Sequence, residues 1–181
     1  MSSPDISRRL FLRGKVAAPV TSSAIRPPWS VDEGQFISKC SRCDDCISAC
    51  PENIITRGEG GFPEINFKSG ECTFCAKCAA TCKTGAITSF GSSDEISRDP
   101  ANAWNLDVNI TSTKCLSLNA VVCRSCGDSC EPQAINFQLK LGGVSEPIIS
   151  LDDCTGCGAC VSVCPVDAVQ IKPVIEESIA A

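Results

Sequence analysis

Four short runs of cysteine constrain this chain more than any other feature of its sequence. Three runs repeat the spacing C-x2-C-x2-C-x3-C, and the remaining run, third in chain order, replaces the first x2 by seven residues. The runs are Cys40, Cys43, Cys46, Cys50; Cys72, Cys75, Cys78, Cys82; Cys115, Cys123, Cys126, Cys130; and Cys154, Cys157, Cys160, Cys164. They account for all sixteen cysteines of the 181-residue chain, so none is left over.

The repeat continues beyond the cysteines. Two apolar residues stand four and five positions after the last cysteine of every run: Ile54–Ile55, Ala86–Ile87, Ala134–Ile135 and Ala168–Val169. These pairs open short β-like segments, and similar segments precede the runs. The repeated unit is therefore a strand, a cysteine loop, a short helix and a strand, which predicts an α+β fold with an internal repeat.

The spacing of the runs predicts the domain boundaries. The last cysteines stand at positions 50, 82, 130 and 164, and the widest interval is the middle one. We therefore expect two modules of two runs each. The predicted division is a basic arm over 1–30, a first module over 31–92, a linker over 93–112, a second module over 113–175 and a tail over 176–181.

Disulfides, zinc and iron–sulfur clusters are the three structural explanations for so many cysteines. Disulfides need an oxidising compartment, and the N-terminal apolar stretch is interrupted by Arg13, Gly14 and Lys15, unlike a secretory signal. Zinc ribbons use separated C-x2-C pairs, and zinc fingers add histidine, which this chain lacks. The triple-spaced runs instead match the loops of bacterial ferredoxins, which bind [4Fe–4S] clusters.

In two-cluster ferredoxins, the fourth cysteine of such a run binds the neighbouring cluster. This rule predicts two tandem dicluster ferredoxin modules of the bacterial type, with short strands and helices around four [4Fe–4S] clusters. We name the four predicted ligand sets as follows: site I, Cys40, Cys43, Cys46 and Cys82; site II, Cys72, Cys75, Cys78 and Cys50; site III, Cys115, Cys123, Cys126 and Cys164; site IV, Cys154, Cys157, Cys160 and Cys130.

Site III is the irregular one, because the seven-residue spacing, five residues longer than in the other runs, displaces Cys115 from its run. One interpretation makes Cys115 the fourth ligand of a complete cluster. The other makes it a buried free cysteine beside an incomplete, three-cysteine site.

The N-terminal arm carries the sequence SRRLFLR over residues 7–13, which is similar to the twin-arginine export consensus. An exported protein would need an apolar region and a small-residue cleavage site next, and the arm has neither. We therefore interpret the arm as a basic segment that is not exported, and predict that Arg8, Arg9 and Trp29 contact a partner.

Composition excludes several function classes. The net charge is −5 and the positive charge is concentrated in the arm, so the acidic body is unsuited to nucleic acid. No apolar stretch approaches the ~18 residues that span a membrane. No nucleotide loop or acid–base constellation is present, so we predict a protein that is not an enzyme.

The chain also resembles the NapF family of ferredoxin-type accessory proteins of the periplasmic nitrate reductase system. The resemblance rests on the segment Ile25–Ser30 (IRPPWS), the Gly60–Pro63 and Asn66–Lys68 segments, and the third run, with seven residues between Cys115 and Cys123 and with Glu131 and Pro132 after its last cysteine. It covers nearly the whole chain, including the twin-arginine-like arm.

The resemblance implies a cytoplasmic protein that binds the molybdenum-containing catalytic subunit of the nitrate reductase and helps it mature before export. The alternative is an electron carrier between a donor and a membrane or soluble redox enzyme. Both functions use the same clusters, so the partner distinguishes them.

Overall fold

The first half of the chain folds around two short helices that follow cysteine loops. The computed structural model describes residues 24–88, 100, 103–142 and 144–174. The elements of its first module are α1 (Glu33–Lys39), α2 (Asp45–Ala49), β1 (Ile55–Arg57), a 3₁₀ turn (Glu59–Gly61), β2 (Pro63–Ile65) and α3 (Lys77–Thr81). Strands β1 and β2 pair antiparallel, with Ile55 opposite Ile65. We call the residues between 24 and 88 module 1.

The second half repeats this plan with longer strands. Its elements are β3 (Leu106–Ile110), a 3₁₀ turn (Ser117–Asn119), α4 (Ser125–Asp128), β4 (Ile135–Leu139), β5 (Ser145–Ile149), α5 (Ala159–Ser162) and β6 (Val169–Pro173). Strand β4 pairs antiparallel with β5, and β3 pairs antiparallel with β6. We call the described residues between 103 and 174 module 2. The mixture of short helices and small sheets agrees with the predicted α+β class.

Two of the predicted boundaries differ from the structure. The predicted linker, 93–112, contains β3, which belongs to module 2 because Ile110 pairs with Val169. The predicted arm, 1–30, includes a segment that packs onto module 1: Ile65 N donates to Ile25 O at 2.8 Å, and Ser30 forms an antiparallel bridge with Ile87. The arm before residue 24 lies outside the described residues. Module 1 therefore begins before position 31, and module 2 before position 113.

The apolar pairs after each run lie at the centre of the fold. All eight residues of these pairs are buried, and none is more than 7% exposed. Module 1 has a larger core than module 2, because Trp29, Phe36 and Phe67 add large buried rings to it. In module 2 the buried apolar cluster consists of Val108, Ile135, Cys160 and Val169. A small core of this kind needs other contributions to stability, such as bound metal.

None of the helices in the described ranges is long and apolar enough to cross a membrane.

Candidate iron–sulfur sites

The structure brings together the four cysteines of sites I, II and III, each around one cavity. The site II and site III cavities are similar in size. The site I cavity is larger and opens beside the exposed Cys43. In each set the distant cysteine, such as Cys82 in site I, comes from the other run of the same module. Cys115 lines the site III cavity and is buried, so it lies with the other three cysteines of its set.

Site IV lies at the apolar cluster of module 2, in which Cys160 is buried and against which Cys130 and Cys154 pack. Burial, and then the thiolates of Cys157 and Cys130, raise the pKa of Cys154. Burial also raises the pKa of Cys160 to about 12, and Cys157, Cys154 and Cys130 contribute to that rise. The four cysteines therefore lie close together, although Cys130 is separated from the others by more than twenty residues.

Three of the loops share a backbone conformation that wraps the chain around its site. In each regular run, the residues just before and just after the second cysteine have positive φ. They are Arg42 and Asp44, Phe74 and Ala76, and Gly156 and Gly158. Left-handed residues reverse the chain direction sharply, which lets successive cysteines face the same side. The third run departs from this pattern, since Arg124 has φ of −138°. The longer spacing between Cys115 and Cys123 therefore changes the path of the loop, while Cys115 still lines the cavity.

A second left-handed position follows every run. The third residue after the last cysteine has positive φ in all four repeats: Asn53, Gly85, Gln133 and Asp167. This position was missed in the sequence analysis. The signal that could have found it is the concentration of Asn, Gly and Asp there, because these residues tolerate this conformation.

The turn at this position directs backbone N–H groups toward sulfur. Ile87 N donates to Cys82 Sγ at 3.4 Å, and Ala168 N donates to Cys164 Sγ at 3.2 Å. In site II, Phe74 N donates to Cys72 Sγ at 3.4 Å. Burial acts to raise the pKa of Cys82, but the donors from Ile87 and Thr84 outweigh it and the pKa is lowered. Such outer hydrogen bonds orient a thiolate ligand and tune the metal that it binds.

The chemistry of the donor sets fits a polynuclear cationic core. Burial, with a smaller contribution from neighbouring thiolates, raises the pKa values of Cys72 and Cys78 to about 12. Burial and the thiolate of Cys40 likewise raise the pKa of Cys46 to about 11. Four buried thiolates repel one another unless a cation lies between them, and iron in a [4Fe–4S] core supplies that charge.

The described residues present the cysteines as separate thiols around cavities. All sixteen cysteines lie in the described ranges, and each is a free thiol. Among the described residues, no three His, Cys, Asp or Glu side chains are arranged to hold a metal ion, as a zinc site would require. The cysteines surround cavities instead, which suits a core larger than a single ion.

Of the three residues predicted to contact a partner, the structure describes only Trp29. Trp29 is 2% exposed and packs edge-on against Phe74, with the ring centroids 6.4 Å apart. This burial contradicts the prediction that Trp29 contacts a partner: the large apolar ring is used in the core of module 1. Its indole N–H is buried without a hydrogen-bond partner among the described residues. Arg8 and Arg9 lie outside the described residues.

Comparison with known proteins identifies the domain family of both modules. The 4Fe-4S dicluster domain family matches residues 39–86 and 121–168, one match in each module. The ferredoxin-type protein NapF of Escherichia coli (strain K12) is 44% identical over 168 residues, which cover 93% of this chain and 95% of that protein.

Two further relatives have similar names. The ferredoxin-type protein NapF of Haemophilus influenzae is 42% identical over 180 residues, covering 95% of this chain and 97% of that protein. The ferredoxin-type protein NapG of Escherichia coli (strain K12) is 29% identical over 205 residues, covering 94% and 87%. This chain, with a dicluster domain in each module, belongs to the NapF family of ferredoxin-type proteins.

Proposed function

We propose that this chain holds four [4Fe–4S] clusters, one at each of sites I to IV, with the crossed ligand sets defined above. The observation that carries the proposal is the grouping of cysteines: each of sites I to III surrounds one cavity with cysteines from both runs of its module. A [4Fe–4S] cluster takes four thiolates, and sixteen cysteines divide into four such sets.

We further propose that the protein acts in the cytoplasm as an accessory factor and not as an enzyme. Its partner is the molybdenum-containing catalytic subunit of periplasmic nitrate reductase, which it binds before export and helps to mature. The support is the similarity to NapF and NapG proteins over more than nine-tenths of the chain. The cysteines of sites I to IV can bind iron, but they do not form a pair of groups that could act as a general acid and a general base in an enzymatic reaction.

Capture of the partner tests this role. An affinity-tagged full chain, loaded with iron under anaerobic conditions, is mixed with the catalytic subunit in two forms: the cofactor-free precursor and the mature exported protein. We expect retention of the precursor and little retention of the mature form. Equal retention of both forms, or of neither, contradicts the maturation role.

Electron transfer is the second candidate, and the contact between the modules favours it. Cys72 N donates to Cys157 O at 2.8 Å, so loops of site II and site IV touch. Adjacent clusters suit a protein that passes single electrons. Rapid, repeated reoxidation of the reduced protein by a redox enzyme, without capture of the precursor, would favour this candidate over maturation.

A further inference from the structure

The two modules meet through the loops that carry their ligands. The amide of Cys72, in the second run, donates a hydrogen bond of 2.8 Å to the carbonyl oxygen of Cys157, in the fourth run. Both residues belong to ligand sets, site II in module 1 and site IV in module 2. A backbone hydrogen bond between them leaves no room for an intervening element at that point. The two sites are therefore neighbours across the module boundary.

Aromatic packing fixes this boundary. A Cβ built on Gly158 would lie 2.0 Å from Phe67 Cδ1, so the ring of module 1 rests directly on the site IV loop. Trp104 lies edge-on to both Phe67 and Phe74, with centroid distances of 5.8 Å, and a Cβ on Gly156 would lie 3.6 Å from its ring. The two glycines thus allow module 1 and Trp104 to approach the backbone of the site IV loop closely. The interface is packed and apolar, not a loose contact between independent modules.

Within each module, the two sites are also neighbours: site I lies beside site II, and site III lies beside site IV. Helix α2, which carries Cys46 of site I, packs against α3, which carries Cys78 of site II. In module 2, α4 with Cys126 of site III packs against α5 with Cys160 of site IV. Across the boundary, the hydrogen bond between Cys72 and Cys157 makes the corresponding contact. Each site thus has a neighbour in its own module, and sites II and IV have an additional neighbour in the other module.

We propose that the four cysteine sets form one continuous row in the order I, II, IV, III, joined across the modules by the loops of Cys72 and Cys157. The two ends of the row reach the surface. Cys43 of site I is exposed, and Val122, which precedes Cys123 of site III, is 98% exposed. Each of the four sites contains one buried cysteine, so the exposed residues beside sites I and III, and not the burial of ligands, distinguish the two ends.

This order gives the protein two separate contact ends, one on each module. Iron–sulfur sites exchange single electrons with their neighbours, so the row suits a one-electron donor at one end and a one-electron acceptor at the other. The inference rests on the proposed four-cluster content, but it does not depend on which partner binds.

Two paired variants of the full chain test the order. Cys43→Ser with Cys123→Ser disrupts sites I and III and leaves the inner pair, whereas Cys75→Ser with Cys157→Ser leaves the outer pair. Each variant should retain about eight iron atoms per chain. In the reduced inner-pair variant, the clusters of sites II and IV are neighbours. We therefore expect an EPR spectrum that is split and broadened by spin coupling between these two clusters. The outer-pair variant should give the sum of two isolated signals. Isolated signals from the inner pair, or coupled signals from the outer pair, would overturn the row.

Hydrogen exchange on the chain with all its cysteines gives a second test that does not need these variants. We expect the amides around Cys72 to be protected in the iron-loaded protein. Gly158→Ala, in the other module, should raise their exchange rate at least about tenfold. Gly142→Ala is the matched control, because Gly142 has a similar φ of +94° and no atom near its added Cβ. Unchanged exchange at Cys72 in both variants would refute the contact. Wild-type iron content below sixteen would instead refute the four-cluster proposal.

Discussion

Arg26 donates two hydrogen bonds to the carboxylate of Glu33, from Nε at 2.9 Å and from a terminal nitrogen at 2.6 Å. The same guanidinium lies 5.1 Å from the centroid of Phe36 and 5.6 Å from that of Phe62. Arg26 belongs to the IRPPWS segment, on which the family resemblance partly rests. The structure gives this segment a structural role: Arg26 connects α1 to the strand pair through Glu33 and the carbonyl oxygen of Pro63.

The first prediction concerns this arginine. Arg26→Met keeps the apolar stem but removes the guanidinium, leaving the Glu33 carboxylate partly buried without its partner. The side chain of Arg26 is only 11% exposed and that of Glu33 23%, so we expect a loss of about 2–4 kcal/mol in the free energy of unfolding. Anaerobic thermal denaturation of the iron-loaded protein measures this loss.

Arg57→Met is the matched control for that measurement. Arg57 also pairs with a carboxylate, that of Asp44, but its side chain is 63% exposed. An exposed ion pair contributes about 0–1 kcal/mol, so the change should be small. If the two variants lost the same stability, the burial argument for Arg26 would be wrong.

The second prediction tests the crossed ligand sets. Cys50 lines the site II cavity although its run supplies the other cysteines of site I. Cys50→Ser should therefore lower the iron content from about sixteen to about twelve atoms. Adding Cys75→Ser should remove no further iron, because both residues belong to site II. Adding Cys43→Ser should lower the content to about eight, because a second site is lost. The crossing is excluded if Cys50→Ser with Cys75→Ser retains only about eight iron atoms while Cys50→Ser with Cys43→Ser retains about twelve.

The cysteine sets could be predicted from the sequence because their chemistry is local. Spacing of two and three residues determines which thiols one loop can present, and the crossing rule of two-cluster ferredoxins supplies the fourth. The position of the apolar pairs indicated short strands, and β1, β4 and β6 begin at the second residue of their pairs. The structure brings together the predicted cysteines of sites I to III around their cavities, including the displaced Cys115.

Features that depend on distant pairing could not be predicted in the same way. Strand β3 pairs with β6, about sixty residues later, and its residues were assigned to a linker. Its alternation of apolar and polar residues from Leu106 to Ile110 was the available signal. The burial of Trp29 is another case: its backbone N–H donates to Ala103 O at 2.9 Å, a contact that local spacing cannot reveal.

The third prediction concerns the left-handed turn after the third run. Gln133 has φ of +53°, a conformation that costs a residue with a side chain but not glycine, and Gly85 occupies the same position in the second run. Gln133→Gly should therefore raise the free energy of unfolding by up to about 1 kcal/mol. Anaerobic chemical denaturation is the measurement. Gln138→Gly, at an exposed position within β4, is the control and should instead lower stability by roughly 0.5–1 kcal/mol. Destabilisation by both substitutions would show that the turn carries no strain.

The fourth prediction follows from the unequal cores of the two modules. Module 1 buries Trp29, Phe36 and Phe67, whereas the buried apolar cluster of module 2 contains no residue larger than isoleucine. Hydrophobic burial contributes ~25 cal/mol per Å² of apolar surface. Because module 2 buries less apolar surface, its fold depends more on the stability that bound iron supplies.

Stepwise anaerobic removal of iron with a chelator should therefore open module 2 first. Hydrogen exchange followed by mass spectrometry distinguishes the modules, because peptides from 24–88 and from 105–142 are separate. We expect rapid exchange in β4 while amides around Phe36 remain protected, and no change in a sample treated without chelator. If α1 were to open before β4, iron and not the aromatic rings would be the main support of module 1.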